Sequence, residues 1–212
     1  MKSKTFTTVL LSIFVAGTLM SFSPSSTVSK KTTTIKDLED AFTGETTASA
    51  KYSAFAQKAR EDGYNRVALL FEAASKAENI HANNHKSVLI QLGEKAPEVN
   101  PEFEVKDTKA NLENAISGES YEVATMYPGF IKDASGENVT LAMISFNYAY
   151  QVEKKHKALY EKALQSLNEG KEKSLPGLYM VCSTCGNTYD GEAPARCGIS
   201  MTPKERFLRI EL

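Results

Sequence analysis

Two stretches of this chain carry the same set of metal-ligand types at the same spacing. Gly44-Glu45 is followed about 34 residues later by Glu78 and His81, and Gly118-Glu119, with an added Glu122, is followed by Glu153 and His156. Carboxylates are hard oxygen donors and imidazoles supply nitrogen, a mixture that suits iron or manganese rather than a thiolate-seeking metal. One Glu from each of two helices and a Glu-x-x-His from each of two others is the ligand set of a two-metal centre inside a helix bundle. Taken singly, a Glu on a helix is more often solvated, and Glu-x-x-His arises easily by chance. The duplication, with Gly-Glu paired to each copy, is what separates this pattern from chance.

The elements that must position these residues read as helices over about Ile35 to Gly170. Leu38, Ala41, Phe42, Ala48, Tyr52, Phe55 and Ala59 form one helical stripe, and Val67, Leu70, Phe71, Ala74, Ala77 and Ile80 form a second. Breaks are expected at Glu61-Asp62-Gly63 and at Ser135-Gly136. Glu45 lies 18 residues before Gly63 and Glu78 lies 15 after it; Glu119 and Glu153 each lie 17 from Gly136. Constant rise per residue then puts the two carboxylates of each hairpin at nearly one height.

For the two half-sites to fuse, the hairpins must point the same way. The stretch Gly93 to Lys106, with Pro97 and Pro101, has no helical periodicity and about 14 residues. Extended, it reaches roughly 45 Å, comparable with the roughly 40 Å of a 27-residue helix. The fold class that follows is mainly α, a ferritin-like four-helix bundle with one long crossover. Residues three apart share a helix face, so Glu78 with His81, Glu119 with Glu122, and Glu153 with His156 are expected to point inward. Without a partner such buried charges cost several kcal/mol each, a conflict that metal binding resolves. His85 has no counterpart on the fourth helix and reads as a surface residue or one lying behind the ligands.

The ends of the chain read differently. Lys2 and Lys4 precede an apolar run from Val9 to Met20 that suits a secretory signal with cleavage near Ser21-Phe22-Ser23, an uncleaved anchor or buried helix being the alternative. Residues 1–23 are thus expected to be a signal peptide, making the protein exported and periplasmic, and residues 24–34, rich in Ser, Thr and Lys, a flexible linker. Removing 1–23 takes away two lysines and no acid, so the formal charge moves from -1 to -3. That balance gives no nucleic-acid partner.

Beyond the ligand pattern, Ala41-Phe42-Thr43-Gly44-Glu45, Phe71-Glu72 through Glu78-Asn79-Ile80-His81-Ala82, Gly118-Glu119 through Met126-Tyr127-Pro128, and Val152-Glu153 through His156 resemble the rubrerythrin family. The likeness runs from about residue 35 to the end, the bundle at 35–170 being followed at 175–212 by a small rubredoxin-like metal-knuckle domain. It implies a non-haem di-iron peroxidase that reduces hydrogen peroxide to water in oxidative-stress defence, linked indirectly to NADH. The implied iron ligands are Glu45, Glu78, His81, Glu119, Glu122, Glu153 and His156, with Glu78 and Glu153 bridging. His81 and Glu122 are the implied catalytic pair, between which one iron shifts as its oxidation state changes. Tyr52 and Tyr127 match tyrosines lying just behind the ligands. The implied partners are hydrogen peroxide, an external electron-donor protein and a second subunit, in a homodimer where one chain's small domain approaches the other's irons.

The C-terminal segment departs from the family pattern. Cys182-Ser183-Thr184-Cys185 is a complete first knuckle, but the second reads Cys197-Gly198-Ile199-Ser200, with serine at the fourth thiolate position. Pro194, Tyr179, Tyr189 and Phe207 supply a small apolar framework. Three readings stand together: a further iron held by three thiolates and the Ser200 oxygen, zinc in the same place, or, after export, a Cys182–Cys185 disulfide with Cys197 left over. Two functions follow: an exported peroxidase protecting an anaerobic or microaerobic cell, or an exported iron-sequestering protein that has lost its electron entry route. Glu122 favours the first and Ser200 the second.

Overall fold

The structure, a computed structural model, describes Met1 and residues 31–212. Five α-helices come first: α1 (Thr32–Glu61), α2 (Asn65–Gln91), α3 (Thr108–Tyr121), α4 (Tyr127–Gly136) and α5 (Thr140–Asn168). A three-stranded antiparallel sheet follows, β1 (Leu178–Cys182), β2 (Thr188–Asp190) and β3 (Phe207–Glu211), in the order β2-β1-β3. No helix among the described residues is long and apolar enough to cross a membrane.

Helix α1 starts at Thr32, inside the stretch read as a linker. The reason is tertiary: the Glu137 carboxylate accepts hydrogen bonds from the backbone N–H groups of Thr33 and Thr34 at 3.2 and 3.0 Å. Those donors have no partner within the helix, and a carboxylate at a helix N-terminus also meets the positive end of its dipole. At the other end, Gly63 sits at φ 85°, its N–H bonded to the Arg60 carbonyl and the Tyr64 N–H to the Ala59 carbonyl. That bond pattern closes a helix and needs a left-handed residue where glycine stands. The turn between α4 and α5 closes in the same way, but with Asn138 at φ 57° in the left-handed position and Gly136 still helical.

The crossover occupies residues 92–107 and spans the bundle. Asp62, at the end of α1, accepts from both the N–H and the hydroxyl of Thr108 at the start of α3, 3.0 and 2.8 Å. Helix α3 therefore begins where α1 ends and α2 begins, so α2 and α3 run parallel. Asp107 caps α3 by accepting from the Ala110 N–H at 3.0 Å.

Between α3 and α4 the helix widens into one π-helical turn, Glu122–Met126, that the spacing of apolar residues does not reveal. Pro128 stands just beyond it and has no N–H to continue the ladder, which localises the irregularity. The wide turn adds a residue to the helix and changes which side chains face inward after it. Tyr127 is consequently buried, while Glu122 is only partly so.

The apolar core has two parts separated by a polar layer. One contains Tyr52, Phe55, Phe71, Leu112 and Tyr160; the other contains Leu38, Leu89, Tyr127, Ala142 and Phe146. Leu175, Tyr179 and Val181 belong to the first, so the small sheet packs onto the bundle rather than hanging from it. Burial at roughly 25 cal/mol per Å² makes these side chains the main attachment of the sheet. The Arg66 side chain donates to the Leu175 carbonyl and its backbone N–H to Glu172, fixing the connection.

Candidate metal centre

The polar layer is formed by one residue or one i, i+3 pair from each long helix. Helix α1 contributes Glu45, between Ala41 and Ala48; α2 contributes Glu78 and His81; α3 contributes Glu119; α5 contributes Glu153 and His156. All six are buried. Their donor atoms fall into two groups, Glu45, Glu78, His81 and Glu153, and Glu78, Glu119, Glu153 and His156, with the atoms of each within 4.8 Å of one another. Glu78 and Glu153 belong to both.

The sharing is atom by atom. His81 Nδ1 lies 2.9 Å from Glu78 Oε2 and 2.8 Å from Glu153 Oε1. On the other side, His156 Nδ1 lies 3.0 Å from Glu78 Oε1 and 2.8 Å from Glu153 Oε2. Each of these two carboxylates thus turns one oxygen toward each imidazole. The two rings are 6.4 Å apart between centroids.

Groups behind the cluster fix its tautomers and carboxylate orientations. His81 Nε2 donates to the Cys185 carbonyl at 3.0 Å. Thr188 Oγ1 gives its own proton to the Gly186 carbonyl at 3.0 Å, so it accepts from His156 Nε2 at 2.9 Å. With both Nε2 protons committed outward, the two Nδ1 atoms face the carboxylates with a lone pair or an added proton. Tyr52 donates to Glu119 Oε1 at 2.8 Å, and Tyr127 donates to Glu45 Oε1.

The set fits two divalent metal ions on its own chemistry. Glu45 Oε2, both oxygens of Glu78, Glu119 Oε2, Glu153 Oε1 and His81 Nδ1 are buried and, beyond the close histidine–carboxylate approaches above, have no hydrogen-bond partner among the described residues. Orphaned polar atoms of that number in one place are costly. Burial, with Glu153 and Glu78 nearby, pushes Glu45 up to about 7 despite the opposing effect of His81. Burial and the same two neighbours raise Glu119 well above the carboxylate range. Burial alone would make His81 and His156 weaker bases, but the carboxylates around them hold both well above the usual imidazole value. Every one of these shifts is a demand for positive charge at the centre, and two divalent cations would balance the four carboxylates Glu45, Glu78, Glu119 and Glu153.

Glu122, expected to point inward with Glu119, belongs to neither group of donor atoms. It stands at the first position of the π-helical turn, with its own N–H still bonded to the Gly118 carbonyl as in an α-helix. It is near enough for charge to matter: burial, then Glu45 and Glu119, raise its carboxyl well above the usual range. His85 takes the second of its two readings, a residue lying behind the ligands rather than on the surface. It is fully buried, with Nδ1 2.8 Å from Ser145 Oγ on α5 and Nε2 3.3 Å from the Tyr127 hydroxyl. The fourth helix does answer it, with a serine, a residue type that no ligand pattern flags. Thr188 and the Cys185 carbonyl were equally invisible, since one is an ordinary strand residue and the other a backbone atom.

At the small sheet, Cys182, Cys185 and Cys197 are buried, free, and within 4.8 Å of one another. Ser200 Oγ lies 3.3 Å from Cys182 Sγ and 2.8 Å from Thr202 Oγ1. Hydrogen bonding from Cys185 and Ser200 brings the Cys182 thiol down to about 4, whereas Cys185, beside it, is pushed up. Burial opposes ionisation of Cys197, but Ser200 and Asn187 bring it below the usual thiol value. Thiols of this kind are thiolate donors for a metal. No disulfide joins them, so the Cys182–Cys185 bridge considered from the sequence is not found.

A family model for rubrerythrin matches residues 36–164. Nigerythrin of Nitratidesulfovibrio vulgaris is 34% identical over 82% of this chain and 85% of its own length. Rubrerythrin-2 of Clostridium acetobutylicum is 31% identical over 84% and 97%. Among solved structures, nigerythrin in its fully reduced, all-ferrous state superposes with a TM-score of 0.74 at 34% identity, covering 83% of this chain and 86% of that one. A Desulfovibrio desulfuricans bacterioferritin, 18% identical with a TM-score of 0.61, shares the fold over 68% of this chain and 85% of its own.

These relatives overturn the expectation of an exported, periplasmic protein: the homologues are rubrerythrins and nigerythrin, and the likeness to them gives export no support. The signal peptide is likewise not supported. The run Val9 to Met20 that suggested it lies outside the described residues. A run of twelve mostly apolar residues after two lysines, followed by Ser21-Phe22-Ser23, which is only weakly like the usual small-residue cleavage site, is a weak signal.

Proposed function

The chain belongs to the rubrerythrin family of di-iron oxidoreductases, and from that premise we propose that it reduces hydrogen peroxide to water at two non-haem irons, in defence against oxidative stress. The observation that carries this reading is the division of Glu78 and Glu153 between the two imidazoles, one oxygen to each. Two ferrous ions, when bound, supply the two electrons that cleavage of the O–O bond takes up.

The chain's own residues do the holding. Glu78 and Glu153, which belong to both donor groups, would hold both ions, Glu45 and His81 would complete the hold on one, and Glu119 and His156 on the other. Outward Nε2 protons on both histidines leave Nδ1 as the ligating atom. Tyr127 and Tyr52 orient Glu45 and Glu119 by hydrogen bonds to one oxygen each, leaving the second for metal. Glu122, outside the cluster and with its carboxyl raised by burial and then by Glu45 and Glu119, would be the carboxylate available to exchange with His81 on oxidation of the bound irons. An anionic oxygen favours ferric iron and a neutral imidazole suits ferrous iron.

Reducing equivalents come from an external donor protein and ultimately from NADH, with the cysteine knuckle as the point of entry. Its Cys185 carbonyl touches His81 of the same chain, so the contact does not require a partner, although a homodimer remains part of this reading. Cys182, Cys185, Cys197 and Ser200 Oγ are the donors for a further iron or zinc there. Serine at that position is the one observation that favours the second reading, an iron-sequestering protein with slow turnover.

Peroxide oxidation of the ferrous-loaded full chain, followed by stopped-flow absorption in the wild type and in Glu122→Ala, separates the two. Fast oxidation that slows at least 10-fold in the variant is expected. Equal rates would sink the ligand exchange, and slow oxidation in the wild type would favour sequestration.

A further inference from the structure

We propose that Ser145, His85 and Tyr127 form a one-way proton path from the protein surface to Glu45, feeding the metal centre with the protons its reaction consumes. This rests on the peroxidase reading: one peroxide, two electrons and two protons give two waters, so protons must enter a site whose ligands are all buried.

The direction of the path follows from counting donors. A carboxylate at a metal accepts only, so Tyr127 gives its single hydroxyl proton to Glu45. The Tyr127 oxygen must then accept from His85 Nε2, 3.3 Å away, which makes Nε2 the protonated ring nitrogen. His85 Nδ1 is left as an acceptor, and the Ser145 hydroxyl donates to it at 2.8 Å. Each of the three groups spends its one proton inward, and none points back. Burial brings His85 down to about 3, so its ring stays neutral, as a relay with one donor and one acceptor must.

The outer end of the path meets solvent. Ser145, 5% exposed, lines a surface depression of about 180 Å³ with Asn84, Gln91 and Tyr148 beside the apolar Val88, Leu141 and Ile144. Its oxygen has lone pairs to accept a proton from water there. Transfer then breaks and forms one O–H or N–H bond at each step, leaving Ser145 for His85 Nδ1, His85 Nε2 for Tyr127, and Tyr127 for Glu45; each passage leaves His85 protonated on Nδ1, so the two hydroxyls turn and the ring flips to reset the path before the second proton follows, and nothing in the path is oxidised or reduced. Among the described residues the other tyrosine is backed by no comparable chain of polar groups. Tyr52, bonded to Glu119, is backed by Phe55, Phe71 and Tyr160 in the apolar core. A purely structural role would not call for three buried polar groups where apolar side chains would pack at lower cost.

Two measurements test it. In the full-length zinc-loaded protein, nitrogen NMR of His85 should find Nε2 protonated and Nδ1 bare. The opposite tautomer, or an imidazolium, overturns the path whether or not the protein reduces peroxide. In the iron-loaded enzyme, Ser145→Ala and His85→Gln should each slow peroxide turnover by roughly 10²-fold at unchanged iron content, and added imidazole should restore His85→Ala. Turnover at the wild-type rate in Ser145→Ala, a change small enough to fold, overturns the relay even if His85 variants do not fold. A wild type that does not reduce peroxide would fail the functional reading instead, leaving the tautomer to decide the wiring.

Discussion

His81 Nε2 donates to the backbone carbonyl of Cys185 at 3.0 Å, so the cysteine knuckle rests directly on a metal-facing imidazole. Gly186, the next residue, is held at φ 76°, and a Cβ there would stand 2.5 Å from the same nitrogen. Gly186→Ala therefore strains the backbone and strikes the ring at once. It should cost at least about 1 kcal/mol in chemical denaturation and lower the metal content of the bundle. An unchanged stability and metal content would mean that the knuckle does not rest on His81.

The shared carboxylates predict unequal losses. Glu78→Ala or Glu153→Ala removes a donor from both halves of the centre and should abolish binding of both metals. His156→Ala removes a donor from one half, so one metal per chain should remain. Elemental analysis of the purified variants checks this, and equal losses in all three would argue against the shared arrangement.

Asp37 offers a prediction on stability alone. It is buried on α1 near Asp133, Asp40 and Glu137, with Oδ2 unpaired among the described residues, and burial followed by those charges pushes its carboxyl up to about 6. The folded state holds this proton more tightly than the unfolded chain does, so its contribution is favourable below about pH 4 and is lost as pH rises through 6. Asp37→Asn should stabilise the protein by about 1 kcal/mol at pH 7.5, allowing for screening near the surface, and by nothing at pH 4. Denaturation at the two pH values would expose a gain of the wrong sign or in the wrong window.

Ser200→Cys should complete a four-thiolate knuckle, since Ser200 Oγ already lies 3.3 Å from Cys182 Sγ. Soft thiolates bind iron and zinc more strongly than a hydroxyl. Metal retention by the small domain under a chelator should rise by about 10-fold or more, with an iron–thiolate absorption band in the iron form. No change would place Ser200 outside the donor set.

Much of the bundle is legible in the sequence because periodicity and spacing act locally. Glu45, Glu78, His81, Glu119, Glu153 and His156 meet in one layer because equal depths and a crossover of sufficient length leave few other arrangements. What escaped depends on partners distant in sequence. The start of α1 at Thr32 is set by Glu137, more than 100 residues away. The left-handed residue before α5 is Asn138 rather than the glycine two places earlier. The π-helical turn at Glu122–Met126 has no periodic signature beyond the nearby Pro128. His85 was set aside because a ligand was sought opposite it, when its partner on α5 is a serine.

The central claim is a two-iron centre that takes two electrons to one peroxide. Anaerobic titration of the ferrous-loaded full chain with hydrogen peroxide, followed by the ferric absorption, tests it most directly. The account predicts an end point at one peroxide per two irons bound, with two irons per chain retained at the bundle. An end point with no fixed ratio, or a chain that holds a single iron there, would contradict it.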